Sequence, residues 1–381
     1  MRLQHVDQLR ALASTTPRIR AVLSPLAAPH PALWAFVAAV AVIDAVWLRI
    51  AGIALAPLGF TLLAALTLAL LLAAVFWSRA TSHPTLRAMA LSSACLISVT
   101  GSVGVLHYLS ATLAFPLVDP MIVHVESVLG FDWRAHTAYL EGHPHLSRVL
   151  ALSYHSSGPQ IALVVIVLAS TRRIARLWAF VRLFSVALAC VVVLSAVLPA
   201  VGPYAFYAVD PSTPNELETI GALWHLEPLI HLRSSTMQVI ALSEMRGLAT
   251  FPSFHVSLAL ITAWALASVR YLGLAILALN MAVIVATLSA GGHYLPDVLG
   301  GATIGLMLLM PRIAAWHIRT YAAFTRAYAN SRTDFIYIPR ARFSLMTRRP
   351  ERVTSPHTRS SHGAGLARYS TEISEAKQIQ S

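Results

Sequence analysis

Charge is what this chain has least of. Acidic and basic residues together make up 12% of its 381 residues, about half the share usual in a soluble protein. With 57% hydrophobic residues and a mean hydropathy of +0.66, that scarcity excludes an ordinary soluble domain and points to a polytopic membrane protein. Cysteine is nearly absent. Cys95 and Cys190 both fall inside apolar runs, where they read as small core residues, so neither a disulfide framework nor a cysteine-ligated metal is expected. Almost all basic residues are arginine rather than lysine, a bias that suggests a GC-rich, bacterial genome. No cleavable signal peptide is expected: the first apolar run begins near Pro31 without a small-residue cleavage site and reads as a first membrane anchor. No internal repeat is evident.

What is there, instead, is a series of apolar runs long enough to cross a bilayer, at about 31–50, 52–77, 88–114, 148–170, 177–199, 252–270, 271–290 and 294–311. The fold class they predict is all-α, a polytopic membrane helical bundle of about eight transmembrane helices. Arginine placement orients it. Arg2, Arg10, Arg18 and Arg20 precede the first run; Arg79, Arg87, Arg172, Arg173, Arg176 and Arg270 mark every second connection; twelve of the 28 basic residues follow Pro311. The long connections 115–147 and 200–251 hold only Arg134, Arg233 and Arg246 against nine acidic residues. Both termini are therefore expected in the cytoplasm and both long connections outside, in a bacterial inner membrane.

The connection 115–147 contains Gly130-Phe131-Asp132-Trp133 and is expected to form a short interfacial helix; 200–251 opens on Gly202-Pro203-Tyr204. Beyond Pro311, Ile313, Trp316, Phe324 and Tyr328 alternate with arginines as in an amphipathic surface helix. From about 345 onward Ser, Thr, Arg, His and Gly dominate and disorder is expected. Asp44, inside the first run, is an expensive intramembrane charge and a functional suspect. His107, Tyr108, Tyr154 and Gln160 are further polar groups placed to face a groove or the bundle interior.

Two short motifs carry chemistry: Phe251-Pro252-Ser253-Phe254-His255 and Gly291-Gly292-His293-Tyr294-Leu295-Pro296-Asp297. Their histidines stand 38 residues apart, one helix out and one back, so both return to the same membrane face; half that distance covers roughly 28 Å at 1.5 Å per residue. His293 and Asp297, four apart, share a face if a helix begins there. The carboxylate would accept the Nδ1 proton and leave Nε2 as a nucleophile. Gly291 and Gly292 allow close backbone approach, and Pro296 suits a first helical turn. Ser253 is a natural N-cap, and His255 can protonate a leaving oxygen. Each motif alone is also what a capping serine or an interfacial histidine would look like. Together, on one side and at helical-hairpin spacing, they point to a site for phosphoryl transfer on lipids.

At these residues the chain resembles the phosphatidic acid phosphatase type 2 superfamily, whose usual signatures are KxxxxxxRP, PSGH and SRxxxxxHxxxD. Here the second reads Pro252-Ser253-Phe254-His255 and the third keeps His293 and Asp297. Two features depart: the Ser-Arg pair falls at Ala286-Thr287, and no KxxxxxxRP precedes the middle motif. The FPS-x-H and GGHY-xx-D forms are more similar to the branch of inositol phosphorylceramide synthases, and the Gly-Phe-Asp-Trp and Gly-Pro-Tyr segments add to that likeness.

The resemblance covers about 88–311 and implies a six-helix catalytic core there. It leaves a cytoplasmic segment 1–30, two additional spans in 31–87 and a basic tail 312–381 outside it. It implies that His293 attacks phosphorus, that Asp297 orients it and that His255 serves as acid and then base. No metal and no other cofactor is implied. With the family's lysine and arginines missing, Ser253, Arg246 and Arg233 are the candidate phosphate ligands. The expected activity is a lipid phosphotransferase of phosphoinositol- or phosphoalcohol-transferring type, acting on a phospholipid or lipid phosphate. A lipid phosphate phosphatase is the alternative, and a non-catalytic transporter or scaffold the reading from another class. Membrane lipids are the expected partners and nucleic acid is not.

Overall fold

The computed structural model describes residues 31–79, 83–209, 223–248 and 250–311. Helices dominate, because backbone polar groups inside a bilayer must be satisfied within the chain itself. The first two, α1 (Ala32–Ala51) and α2 (Pro57–Arg79), are joined by a short connection. Gly52 closes α1 in the left-handed region (φ 68°), its N–H bonded to the Leu48 carbonyl. Among the described side chains of α2 only Ala74 is fully buried; Leu70, Leu71 and Trp77 pack half-buried against the core, and the other face is exposed, as lipid allows. The long helix α3 (Pro84–Ala111) begins with proline in its first turn, where the missing N–H costs nothing, and packs against α1 and α2.

The connection 115–147 holds two short helices, α4 (Asp119–Val128) and α5 (Trp133–Glu141), where one was expected. Asp132 caps α5, its Oδ1 accepting from the Ala135 N–H at 3.1 Å. The run expected as one span at 148–170 is α6 (Pro144–His155) followed by α7 (Ser157–Ser170), bent by 47°. Pro159 explains the break: it has no N–H for the His155 carbonyl, and its ring would clash with that oxygen in a continuous helix. Next comes α8 (Ile174–Val197), packed on α3.

After α8 the chain forms α9 (Pro203–Phe206), α10 (Leu226–Arg233) and one 3-10 turn at Leu242–Glu244. An unanticipated two-residue parallel pairing joins Ala54–Leu55 (β1) to Val239–Ile240 (β2). It ties the connection between α1 and α2 to the connection that leads into the first histidine motif. The last helices are α11 (Phe254–Leu266), α12 (Arg270–Ala286) and α13 (Leu295–Pro311). By length and composition α1, α2, α3 and α8 can each cross a membrane, and the bent α6–α7 pair makes a fifth. The remaining three expected spans are apolar but shorter. α11 has 13 residues, about 20 Å at 1.5 Å per residue, because Ser253 is extended and a turn at 267–269 ends the helix. Its far end is closed from α8: the Arg176 guanidinium donates to the Trp264 and Ala265 carbonyls and stacks over the Trp264 ring. Cys95 and Cys190 are free. The amphipathic and disordered segments expected after 311 lie outside the described residues.

Helices in lipid gain nothing from hydrophobic exclusion and rely on close packing. Between α11 and α13 that packing is made by glycine. A Cβ at Gly301 would overlap the Ser253 carbonyl oxygen, and Ser257 Oγ donates to the Gly301 carbonyl at 2.7 Å. A Cβ at Gly305 would meet the Leu260 Cδ1 at 3.0 Å and the Leu260 Cβ and Ser257 Cα at 3.3 Å, contacts that a shift of a few tenths of an ångström relieves, whereas the Gly301 overlap needs far more. Gly301→Ala is therefore expected to cost about 1–3 kcal/mol as overpacking and lower the melting temperature of detergent-solubilised protein, with Gly305→Ala much milder. Equal melting curves for the two would contradict this account of the seam.

Candidate active site

Both histidine motifs lie at one end of the bundle, at the start of α11 and the start of α13. Asp297 organises the second. Its Oδ2 accepts the Tyr294 N–H at 3.0 Å and lies 3.3 Å from His293 Nδ1. α13 begins at Leu295, so His293 precedes the helix and meets a carboxylate in its first turn. When Asp297 is ionised it only accepts, an arrangement that puts the proton on Nδ1 and leaves Nε2 its lone pair. Facing that lone pair at 3.2 Å is the Ser253 hydroxyl. Ser253 occupies the N-cap position of α11 with extended backbone (φ −69°, ψ 114°), but its side chain makes no capping hydrogen bond. The expected cap is thus replaced by a bond across to His293, because the Gly301 seam brings the two motifs into contact. The Ser253 N–H also donates to the Asp297 carbonyl at 3.0 Å.

The turn before His293 needs its glycines. Gly292 has φ 62°, and a Cβ on Gly291 would stand 2.7 Å from the Thr287 carbonyl and 2.9 Å from His293 Cδ2. His255 has its Nδ1 3.1 Å from the Tyr154 hydroxyl, with the two rings 4.3 Å apart. His255 and His293 line the same cavity, of about 280 Å³, together with Arg246. The Arg246 guanidinium lies 5.4 Å above the Trp224 ring and donates to the Ser243 and Met245 carbonyls. Arg233 lies elsewhere: it ends α10 and lines a separate, smaller cavity. Gln160 accepts from Asn280 Nδ2 inside the bundle, and Tyr108 receives the Arg246 backbone N–H.

Two acids behind the turn, Asp119 and Glu126, were not singled out from the sequence. Asp119, 1% exposed, accepts from the Val201 and Gly202 N–H groups and from the Tyr294 hydroxyl at 3.0 Å. It binds α4, the Gly-Pro-Tyr turn and the His293 turn into one unit. Burial, then the Asp119 charge, pushes the Tyr294 phenol above its ordinary value, so it stays a donor. Glu126, 2% exposed, accepts the Leu295 N–H at 2.8 Å at the first turn of α13. Burial raises its carboxyl above the ordinary value, partly offset by that N–H. Trp133 of the Gly-Phe-Asp-Trp segment donates Nε1–H to the Leu288 carbonyl at 2.7 Å and packs against Tyr204 and Tyr207. The one local signal for Asp119 was its place before Pro120, a helix start. Asp44 is also buried, with no hydrogen-bond partner for Oδ1, but it lies between α1, α2 and α3, away from both motifs. Among the described residues, no group of three or more metal-binding side chains converges.

Compared with known proteins, residues 120–310, half of the chain, match the model of a family described as the PAP2 superfamily. No curated protein and no solved structure matches.

Proposed function

Because this chain belongs to the PAP2 superfamily, whose members are membrane phosphatases and phosphotransferases handling lipid phosphates, we propose that it transfers a phosphoalcohol group between lipids through a phosphohistidine intermediate. The observation that carries this reading is the convergence of His293, held by Asp297, and His255, held by Tyr154, on one cavity beside Arg246. An apolar groove of about 650 Å³ between α3, α7 and α8 adjoins that cavity, sharing His107, Leu188, Val192 and Arg246 with it. It suits the acyl chains of a lipid whose phosphate reaches the histidines.

In the proposed cycle His293 Nε2 attacks phosphorus and the bond from phosphorus to the lipid oxygen breaks. His255 donates the proton that the leaving alkoxide needs. An acceptor hydroxyl then attacks phosphorus, gives its proton to His255, and the N–P bond breaks. Ser253 turns its hydroxyl from Nε2 to a phosphate oxygen, and Arg246 offsets the phosphate charge. Arg87, Arg172, Arg173 and Arg270 lie at helix ends opposite the motifs, and the preference of arginine for the cytoplasmic side supports a site outside the cytoplasm.

The test is to incubate the purified protein in detergent with headgroup-labelled phospholipid, with and without ceramide or diacylglycerol as acceptor. A new labelled phospholipid formed only with acceptor supports transfer; water-soluble phosphate or phosphoalcohol as the sole product makes the protein a hydrolase. The phosphate ligands are separable too. Arg246→Ala is expected to raise KM about 10-fold or more, since a hydrogen bond to a charged group is worth about 1.5–3 kcal/mol. Arg233→Ala, outside the shared cavity, should change KM less than about twofold, on the scale of an exposed charge. A reversed order in steady-state kinetics would move the phosphate to the other cavity.

A further inference from the structure

α1 and α2 both pack on α3 but make little contact with each other. Between them lies a cavity of about 500 Å³, backed by Ser98, Gly101 and Ser102 of α3. Ala41, Ala45, Ala64 and Leu68 on its rim are exposed, so it opens sideways onto the surface that faces lipid. It is distinct from the groove that adjoins the histidines. Leu63 and Gly101 line both spaces, and a Cβ on Gly101 would stand 2.7 Å from Leu63 Cδ2. The absence of a side chain at Gly101 is what lets Leu63 close the wall between the two.

Inside this cavity stands Asp44, 6% exposed, its Oδ1 buried without a hydrogen-bond partner. Thr67 of α2 and Ser102 of α3 line the same space, and neither hydroxyl is hydrogen-bonded among the described residues. Ser98 gives its proton to the Ala94 carbonyl at 2.8 Å. No lysine, arginine or histidine stands among the described lining residues. Three helices thus bring polar side chains to one apolar space and leave them without partners, an arrangement that is costly inside a membrane.

We propose that this cavity is a second lipid site, taking a neutral lipid with a free hydroxyl that donates to Asp44, while Thr67 and Ser102 flank the same polar end and Phe60, Leu68 and Leu71 receive an acyl chain. Depth argues for a neutral occupant. Asp44 lies seven residues before the end of α1 at Ala51, about 10 Å at 1.5 Å per residue. A hydroxyl can be carried to that depth, whereas a phosphate or an ammonium would have to shed its water. Size argues for a lipid over a partner helix. A helix about 10 Å across fills roughly 400 Å³ per turn, so the cavity holds little more than one turn, but a flexible chain can thread it from the open side.

Photolabelling tests the site. The full chain in detergent is irradiated with a diacylglycerol carrying a diazirine in one acyl chain, and the labelled peptides are mapped by mass spectrometry. Saturable labelling is expected within 37–71 and 98–105, displaced by unlabelled diacylglycerol. Triacylglycerol of the same chains, which has no hydroxyl, should displace it about 10-fold less well. Asp44→Leu should lower the labelling about 10-fold and keep the melting temperature at or above that of the wild type, because it removes a buried polar group without a partner. Asp44→Asn keeps an acceptor oxygen and should label better than Asp44→Leu.

No saturable labelling of the wild-type protein, or labelling confined to the groove walls α7 and α8, overturns the proposal without any variant. Equal displacement by triacylglycerol would make the cavity a plain apolar crevice. Stronger displacement by hexadecylamine than by diacylglycerol, or an equal loss in both Asp44 variants, would make it a cation site instead. A lower melting temperature in Asp44→Leu together with lost labelling would make Asp44 a packing residue. None of these measurements involves turnover, so failure of the catalytic reading would leave them standing.

Discussion

His293→Ala is expected to reduce turnover about 10⁴-fold or more while leaving a folded protein, the scale seen when a covalent nucleophile is removed from a hydrolase. The side chain is 5% exposed and has two partners, Asp297 and Ser253, each held by backbone contacts as well. The turn that carries it is fixed by other groups, Gly291, Gly292 and the Asp119–Tyr294 bond. Loss of the ring therefore removes chemistry without dismantling the turn. Quenched reactions with labelled phospholipid should trap an acid-labile, base-stable label on the wild-type protein and none on this variant. His255→Gln should behave differently: with the leaving-group acid gone but Nε2 intact, turnover falls about 10²–10⁴-fold and the nucleophile remains. Wild-type levels of lipid product from His293→Ala would sink the phosphohistidine reading and favour a protein that keeps the fold without the chemistry.

The helices were legible in the sequence because in lipid an apolar run has little choice but to be one. Each of the eight runs contains a helix or the α6–α7 pair. What the apolar pattern did not carry was interruption within a run. Pro159 breaks the fourth, and Ser253 and the 267–269 turn shorten the sixth, yet hydropathy barely changes at any of them. The site was legible as far as spacing could take it. His255 and His293 do come to one end, and the Asp297 carboxylate does reach the His293 ring.

Partners from distant segments were not legible, since no local periodicity relates Tyr154 to His255, 101 residues away, or Asp119 to Tyr294, 175 away. Asp119 and Glu126 counted as external charges when the loops were weighed by sign. They are in fact among the most buried acids, because Asp119 satisfies the Val201 and Gly202 N–H groups of the Gly-Pro-Tyr turn and Glu126 the Leu295 N–H at the start of α13. Arg233 and Arg246 looked equivalent, thirteen positions apart in one connection. Only the fold separates them: α10 carries the first away, and the bond from the Arg246 N–H to the Tyr108 hydroxyl (2.7 Å) holds the second over the cavity.

Asp297→Asn is expected to cost about 10³–10⁴-fold in kcat, comparable to the loss when the aspartate that orients a catalytic histidine is made an amide, with little loss of stability. Oδ2 serves two donors, the Tyr294 N–H and the His293 Nδ1–H. An asparagine whose carbonyl oxygen takes the Oδ2 place keeps both bonds and the start of α13, and its NH₂ falls at the buried Oδ1 position, which has no hydrogen-bond partner. What is lost is the negative charge beside the ring, so nothing offsets the positive charge that the imidazole gains as Nε2 bonds to phosphorus. Thermal unfolding close to wild type with kcat reduced by that factor is the expected pair of results. Added imidazole should not restore activity, because the ring is still in place. Full activity in the amide variant would mean that the charge of Asp297, 3.3 Å from His293, does not support the nucleophile, and a parallel collapse of stability would make Asp297 a cap of α13 before anything else.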